Sequence, residues 1–313
     1  MQQIGGTCMN HYKNGIMGLV VADALGVPYE FKSREKIKQN PCVDMIGHGT
    51  FNVEAGCWSD DSSMTLATLD SLQNGYNPVD IMNKFIDWYK KDAYTPFGEV
   101  FDMGMATGDA MDNYLNTKDI TICGLTSEYS NGNGSLMRIL PICIYAVLQQ
   151  LPVEEAVQMV HEASSLTHAH MRSKMACGIY YFLVKEIIDT NDTLYNRIQT
   201  ALRNAFTYYN NNPELQHYHR LQSIDLFAKL PESDIKSGGY VVESLEASIY
   251  CLLNNNTYKD TVLHAVNLGF DTDTTAAIAG GLAGLYYTYE NIPLEWINTI
   301  KRKDYILQLC AMI

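Results

Sequence analysis

The sequence predicts an all-α fold. Apolar residues recur at helical spacing along most of the 313 residues, and no series of alternating strands interrupts them. There is no internal repeat and no low-complexity tract, and helical patterns continue on both sides of the best loop candidate, 210–220. One domain spanning 1–313 is therefore expected.

Taken in order, GIMGLVVADAL at 15–25 is apolar nearly all round, as a helix buried on every side must be. Residues 62–74 repeat Leu66, Leu69 and Leu72, with Asp61 or Ser62 placed to cap the start. Asn77-Pro78 opens a helix through Ile81, Met82, Phe85, Ile86 and Tyr89, since proline suits the first helical position. An apolar helix is expected at 136–148, and Pro152 opens another over 152–164. The pattern returns at 174–190, 193–210, 241–255, 258–267, 274–289 and 293–300.

Composition narrows the function. With 47% hydrophobic and 18% charged residues the chain can bury a large core. Its 22 basic and 35 acidic residues give a net charge of −13, which repels nucleic-acid phosphates. Eight Cys occur with no CxxC and no paired short spacing, so neither a zinc framework nor a disulfide scaffold is expected. Reduced, mostly buried thiols fit best and point to the cytoplasm. The first fifteen residues lack the pattern of a signal peptide. The uncharged stretch 274–289 is short of the ~20 residues that span a membrane, so Gly280 and Gly284 suggest close helix packing instead.

Four stretches depart from helix logic. Trp58-Ser59-Asp60-Asp61-Ser62 puts adjacent carboxylates at a helix N-terminus. Asp271-Thr272-Asp273-Thr274 precedes a helix of Ala and Gly. Ser130-Asn131-Gly132-Asn133-Gly134-Ser135 reads as a turn or as a backbone cradle for an anion such as phosphate. Glu30 is a lone acid just past a buried helix.

Either acidic cluster alone reads as a helix cap. Two clusters with flanking hydroxyls also supply the hard oxygen ligands that Mg²⁺, Mn²⁺ or Ca²⁺ prefer. Asp271 and Asp273, alternate residues of an extended segment, would share a site. Asp60 and Asp61 splay by about 100° and could face two ions. An EF-hand is excluded, because Ala276 and Leu282 stand where Gly and Glu are needed. His161-Glu162 is followed by Ser165, so HExxH fails as well. Thr167-His168-Ala169-His170 reads as hydrogen-bonding histidines or a metal pair.

In this order the motifs resemble the ADP-ribosylglycohydrolase family, in its dinitrogenase-reductase-activating branch. The resemblance rests on Gly18, Asp23-Ala24-Leu25-Gly26 and Glu30; on Trp58-Ser59-Asp60-Asp61; and on Phe101-Asp102-Met103-Gly104. It continues through Gly132-Asn133-Gly134-Ser135-Leu136-Met137-Arg138, Leu166-Thr167-His168, Gly239-Tyr240-Val241-Val242-Glu243, and Asn267-Leu268-Gly269 with Asp271 to Thr274. Seven motifs in family order cover nearly the whole chain.

The resemblance implies a compact all-α fold with a two-metal cleft, holding two Mg²⁺ or in their place Mn²⁺. It implies hydrolysis of an ADP-ribosyl bond at ribose C1″, most simply on mono-ADP-ribosylated arginine of proteins. Serine-linked ADP-ribose, O-acetyl-ADP-ribose and a non-catalytic ADP-ribose-binding module are the alternatives. Carried across, the metal ligands would be Ser59, Asp60, Asp61, Asp271, Asp273 and Thr274, with Asp60, Asp61 and Asp273 catalytic through the metals. Glu30 would orient or deprotonate water. Ser130, Asn131, Gly132, Asn133, Gly134 and Ser135 would line the phosphates and distal ribose beside His168. Tyr240 would meet the nucleotide, and Asp102 the departing guanidinium. Partners would be an ADP-ribosylated protein or a small ADP-ribose conjugate, with no nucleic acid and no membrane, and the chain would act as a monomer. Ala22, Phe270 and Ser59 are departures that keep the chemistry. Met105, standing where that branch has Asn, cannot donate a hydrogen bond and so bears on the leaving group.

Overall fold

The computed structural model describes the backbone of residues 2–313 and the side chains from His11 onward. Two expectations, a buried thiol at Cys8 and the absence of a leader, concern side chains outside those described. Among the described residues fifteen α-helices follow one another: α1 (Gln2–Gly26), α2 (Arg34–Gln39), α3 (Asp60–Leu72), α4 (Pro78–Lys91) and α5 (Met105–Thr117). Then come α6 (Leu140–Leu148), α7 (Val153–Ser165), α8 (Met171–Asp189), α9 (Leu194–Tyr208) and α10 (Ile224–Phe227). The last five are α11 (Val241–Leu253), α12 (Tyr258–Asn267), α13 (Thr272–Tyr287), α14 (Leu294–Thr299) and α15 (Lys303–Ala311). Among the described residues no strand forms, only isolated bridges such as Gly132 with Tyr240. No helix among them is long and apolar enough to cross a membrane.

The centre of the fold is the pair α1 and α13. Both are buried nearly all round from Ile16 to Leu25 and from Thr272 to Leu285, so neither has a polar face to turn to water. Their contact is backbone to backbone: a Cβ on Gly18 would lie 2.4 Å from the Gly280 carbonyl oxygen. The Gly280 and Gly284 spacing is thus helix packing, as expected. Tyr258 of α12 donates to the Gly18 carbonyl at 2.6 Å and holds the third helix against the pair. The buried apolar side chains form one contiguous cluster. The seven cysteines whose side chains are described are all buried and unpaired with one another.

Several expectations need correction. Ser59, and neither Asp61 nor Ser62, caps α3, accepting from the Asp61 amide at 3.3 Å. Residues 271–273 are not extended, because α13 begins at Thr272 and makes Asp271 its N-cap. The helix expected over 136–148 is a 3-10 turn, Leu136–Arg138, followed by α6 with Pro141 in its first turn. The loop candidate 210–220 is mostly a 3-10 run, Pro213–Gln222, capped by the Asn212 side chain. Helices α2, α5, α10 and α15 were not foreseen; α5, with Gly108 and scattered Asp and Asn, has little helical periodicity.

Candidate active site

Four helix N-termini, those of α3, α5, α11 and α13, meet at one cleft. Asp60, Met105, Gly239 and Asp271 all line it. Each contributes partial positive charge, which favours acid or phosphate there. The cleft has a volume of about 720 Å³.

Asp23, on the last turns of α1, fixes the first of these termini. It is fully buried and accepts from the Ser59 amide at 3.0 Å, the Ser62 amide at 3.0 Å and the Ser62 hydroxyl at 2.5 Å. This orients Asp60 and Asp61 toward the cleft. Gly26 sets the second: a Cβ there would fall 2.4 Å from Asp273 Cα, so only glycine lets the end of α1 abut the start of α13. Arg34 clamps the neighbouring loops, donating to the carbonyls of Leu268, Glu232 and Ile235.

The acids share a pattern. In Asp61, Asp271 and Asp273 the protein engages one oxygen and leaves the other bare. Asp61 Oδ2 accepts from Ser59 Oγ and from Thr274 Oγ1, each at 3.1 Å, while Oδ1 is buried without a partner. Asp271 Oδ2 accepts from Asn133 Nδ2 at 2.7 Å, and its Oδ1 is likewise bare. Asp273 Oδ1 accepts from the Thr274 amide at 2.8 Å and Oδ2 has nothing. Glu30 Oε2 is the fourth such atom. One oxygen each from Glu30, Asp102 and Asp273 lies within 4.8 Å of the others, a group able to hold a metal ion. Glu30 and Asp102 therefore join the acid cluster itself, closer than their expected roles in handling water and leaving group required.

Among the described residues no Lys or Arg lines the cleft. Burial, reinforced by the neighbouring carboxylates, pushes Asp60, Asp61 and Asp273 well above the usual carboxylate range. Burial and then Asp102 push Glu30 up to about 11, and burial raises Asp102 and Asp271. Buried oxygens that lack hydrogen bonds and a protein cation are the donor set of a hard divalent ion. The residues present fit one.

The opposite wall is the glycine-rich loop. It is pinned by Asn133 N to Gly239 O and Val241 N to Asn131 O, both 3.0 Å. Ser130, Gly132, Asn133 and Gly134 line the cleft with His168. Burial, with Arg138 nearby, lowers His168 to about 3, so its ring is neutral. Arg138 donates to Thr167 Oγ1 at 2.8 Å, and Thr167 in turn reaches His168 Nδ1 at 2.8 Å. If Thr167 passes its hydrogen to Nδ1, no buried hydroxyl hydrogen is left over, and Nε2 is the donor.

Two expected lining residues stand behind the wall. The Ser135 hydroxyl faces Ser164 and Cys177 in the core. Asn131 spends its amide on Ser173, Glu128 and His170. Tyr240, half-buried, lies beside Gly132 under the Arg172 guanidinium. Ser59, Asp61 and Asp273 sit beneath the cleft floor, which Asp60, Asp271 and Thr274 reach directly. Asp23 had no role assigned from the sequence beyond its motif; its only signal was an acid inside an apolar helix.

A glycine-rich wall facing a buried acidic floor in an all-α fold can hold an anionic ligand against a divalent ion. The family model for ADP-ribosylglycohydrolase matches residues 6–313, and the chain belongs to that family. It is 28% identical over 303 residues to an ADP-ribosylarginine hydrolase Tri1 of Serratia proteamaculans, covering 96% of this chain and 78% of that one. It is 28% identical over 291 residues to the ADP-ribosyl-[dinitrogen reductase] glycohydrolase of Rhodospirillum rubrum, covering 92% and 89%. A solved structure described as an ADP-ribosylglycohydrolase-related protein complex superposes with a TM-score of 0.81 at 25% identity, over 98% of both chains.

Proposed function

We propose that the chain, acting as one domain over 1–313, releases ADP-ribose from mono-ADP-ribosylated arginine of proteins in a reaction that requires two Mg²⁺ ions, or Mn²⁺ in their place. The observation that carries this is the set of four bare, buried carboxylate oxygens at and just beneath the floor of a cleft lined, among the described residues, by no Lys or Arg. Ser59, Asp60, Asp61, Asp271, Asp273 and Thr274 would hold the ions, with Glu30 and Asp102 alongside. A divalent metal bound there would offset the charge of these carboxylates and supply Lewis-acid polarisation to the bound sugar.

The chain's own groups do the rest. Glu30, protonated in the metal-free protein and a carboxylate once divalent cations offset the neighbouring acids, orients a water and takes its proton as the new C1″–O bond forms. The C1″–N bond breaks, its electron pair leaves with the guanidine, and the proton passes on to that group or to solvent. Asp102 faces the guanidinium and keeps its charge matched as it departs. The loop 130–135 takes the phosphates and distal ribose, Asn131 and Ser135 through their backbone, with His168 Nε2 as a donor. Tyr240 flanks the nucleotide. The arginine linkage is supported by the name of the Serratia relative.

Met105 favours a second reading, a serine-linked or small O-acyl conjugate. It starts α5 at the cleft mouth, 87% exposed, and offers no hydrogen bond to a guanidinium. The test is release of free ADP-ribose from an arginine-modified protein, with Mg²⁺ and then with chelator. Release that chelator stops is the expected result. No release from that substrate, with release from the serine-linked one, would transfer the reading to the second.

A further inference from the structure

Four phenylalanines form a continuous band that starts at the cleft and runs outward from it. Phe31, next to Glu30, lines the cleft, and its ring lies 6.0 Å from Phe51. Phe51 lies 5.2 Å from Phe101, which stacks on Phe97 at 5.7 Å and 17°. Phe97 in turn lines a second cavity of about 390 Å³ beside Val53 and Cys57. The band therefore joins two cavities, beginning at the Glu30 and Asp102 end of the first.

Phe31 is 68% exposed and Phe97 47%. Single exposed apolar residues are ordinary, whereas contiguous ones mark contact surfaces. The surroundings are acidic: Glu99, between Phe97 and Phe101 in sequence, is exposed, and so is Asp109 on the cleft wall. The nearby cations are engaged. Lys32 donates to the Pro28 carbonyl, and Lys301 pairs with Glu54. Aromatic faces bordered by carboxylates attract Lys and Arg side chains both by cation–π contact and by charge.

We infer that this band docks the polypeptide around the modified residue and selects segments carrying Lys or Arg close to the ADP-ribosylated arginine. The inference rests on the arginine-directed reading of the cleft. Continuity names the occupant: once the ADP-ribosyl group fills the cleft, only the chain attached to its leaving group extends from Asp102 along the rings to Phe97.

The test compares kcat/KM on three substrates: ADP-ribosylated agmatine, an ADP-ribosylated arginine peptide flanked by Lys, and an equally long one flanked by Glu. Wild type is expected to favour the Lys-flanked peptide by about 10-fold. The variant Phe51→Ser/Phe97→Ser, at positions that do not line the cleft, should lose that preference and keep the agmatine rate. Equal loss on all three substrates, or equal wild-type rates on the two peptides, would overturn the inference. If the double variant does not fold, Phe97→Lys replaces it and should reverse the peptide preference; an unchanged preference overturns the inference too. Wild type inactive on all three, agmatine included, would sink the arginine reading of the cleft and the docking surface with it. Activity on agmatine without peptide discrimination would sink the docking surface alone.

Discussion

Thr274 Oγ1 donates to Asp61 Oδ2 at 3.1 Å across 213 residues of sequence, and so ties the N-terminus of α13 to that of α3. The bond fixes which Asp61 oxygen stays bare. Thr274→Val keeps the shape and removes the hydroxyl. The hydroxyl is both a proposed ligand and the donor that orients Asp61; loss of an orienting group alone typically costs 10–100-fold in metal affinity, so a loss of at least about that size is expected here, and titration calorimetry with Mg²⁺ or Mn²⁺ would measure it. Unchanged affinity would mean that Asp61 needs no such orientation.

Asp273→Asn should separate stability from function. The side chain is fully buried among other acids with Oδ2 unpartnered. Removing its charge relieves repulsion in the metal-free protein, so Tm in chelator should rise while Mg²⁺-dependent ADP-ribose release disappears. A variant with normal turnover would remove Asp273 from the site.

The raised carboxylates give a pH dependence with a definite sign. Asp60, Asp61 and Asp273 are held well above their ordinary range, and Glu30 at about 11. For groups raised on folding, the stabilisation is complete below the unfolded pKa of about 4 and drains away as pH rises toward the folded value. In chelator these groups therefore pull Tm down from about pH 5 to pH 9. Metal binds their deprotonated forms, so the Tm gain from Mg²⁺ should be larger at about pH 8 than at about pH 5.5. Scanning fluorimetry at the two pH values decides; equal gains would mean that other groups bind the ion.

Asp23→Asn should loosen the start of α3. Its two oxygens serve two amides and a hydroxyl, and an Asn turns an NH₂ toward at least one of those donors. A loss of about 1–3 kcal/mol in urea unfolding is expected, with weaker Mg²⁺ binding alongside. Stability and affinity both at wild-type values would show that the N-terminus of α3 holds itself.

The acids were legible because they break helical patterning where nothing local demands it: Asp60 with Asp61, and Asp271 with Asp273. Their partners were legible only through the order of motifs. Nothing near Asn133 says that its amide meets Asp271, or near Arg34 that it holds Leu268, since both contacts span more than a hundred residues. The expectation failed at Asp271 to Asp273, read as extended chain, because the helix of Ala and Gly begins earlier, at Thr272. Helix α5 stayed hidden because tertiary contact, through Ala110, Met111 and Tyr114, outweighs its weak periodicity. The aromatic band was invisible for a different reason: its four rings come from three separate loops.

Between Gly18 and Gly280 no side chain lies to absorb an error in position. A methyl group added at either must move one helix, and each of these helices ends or begins at the acids. The pair therefore works as a gauge block, setting from below how far apart Glu30 and Asp273 stand. A search for inactivating substitutions would accordingly find targets well outside the cleft, at glycines that never touch substrate.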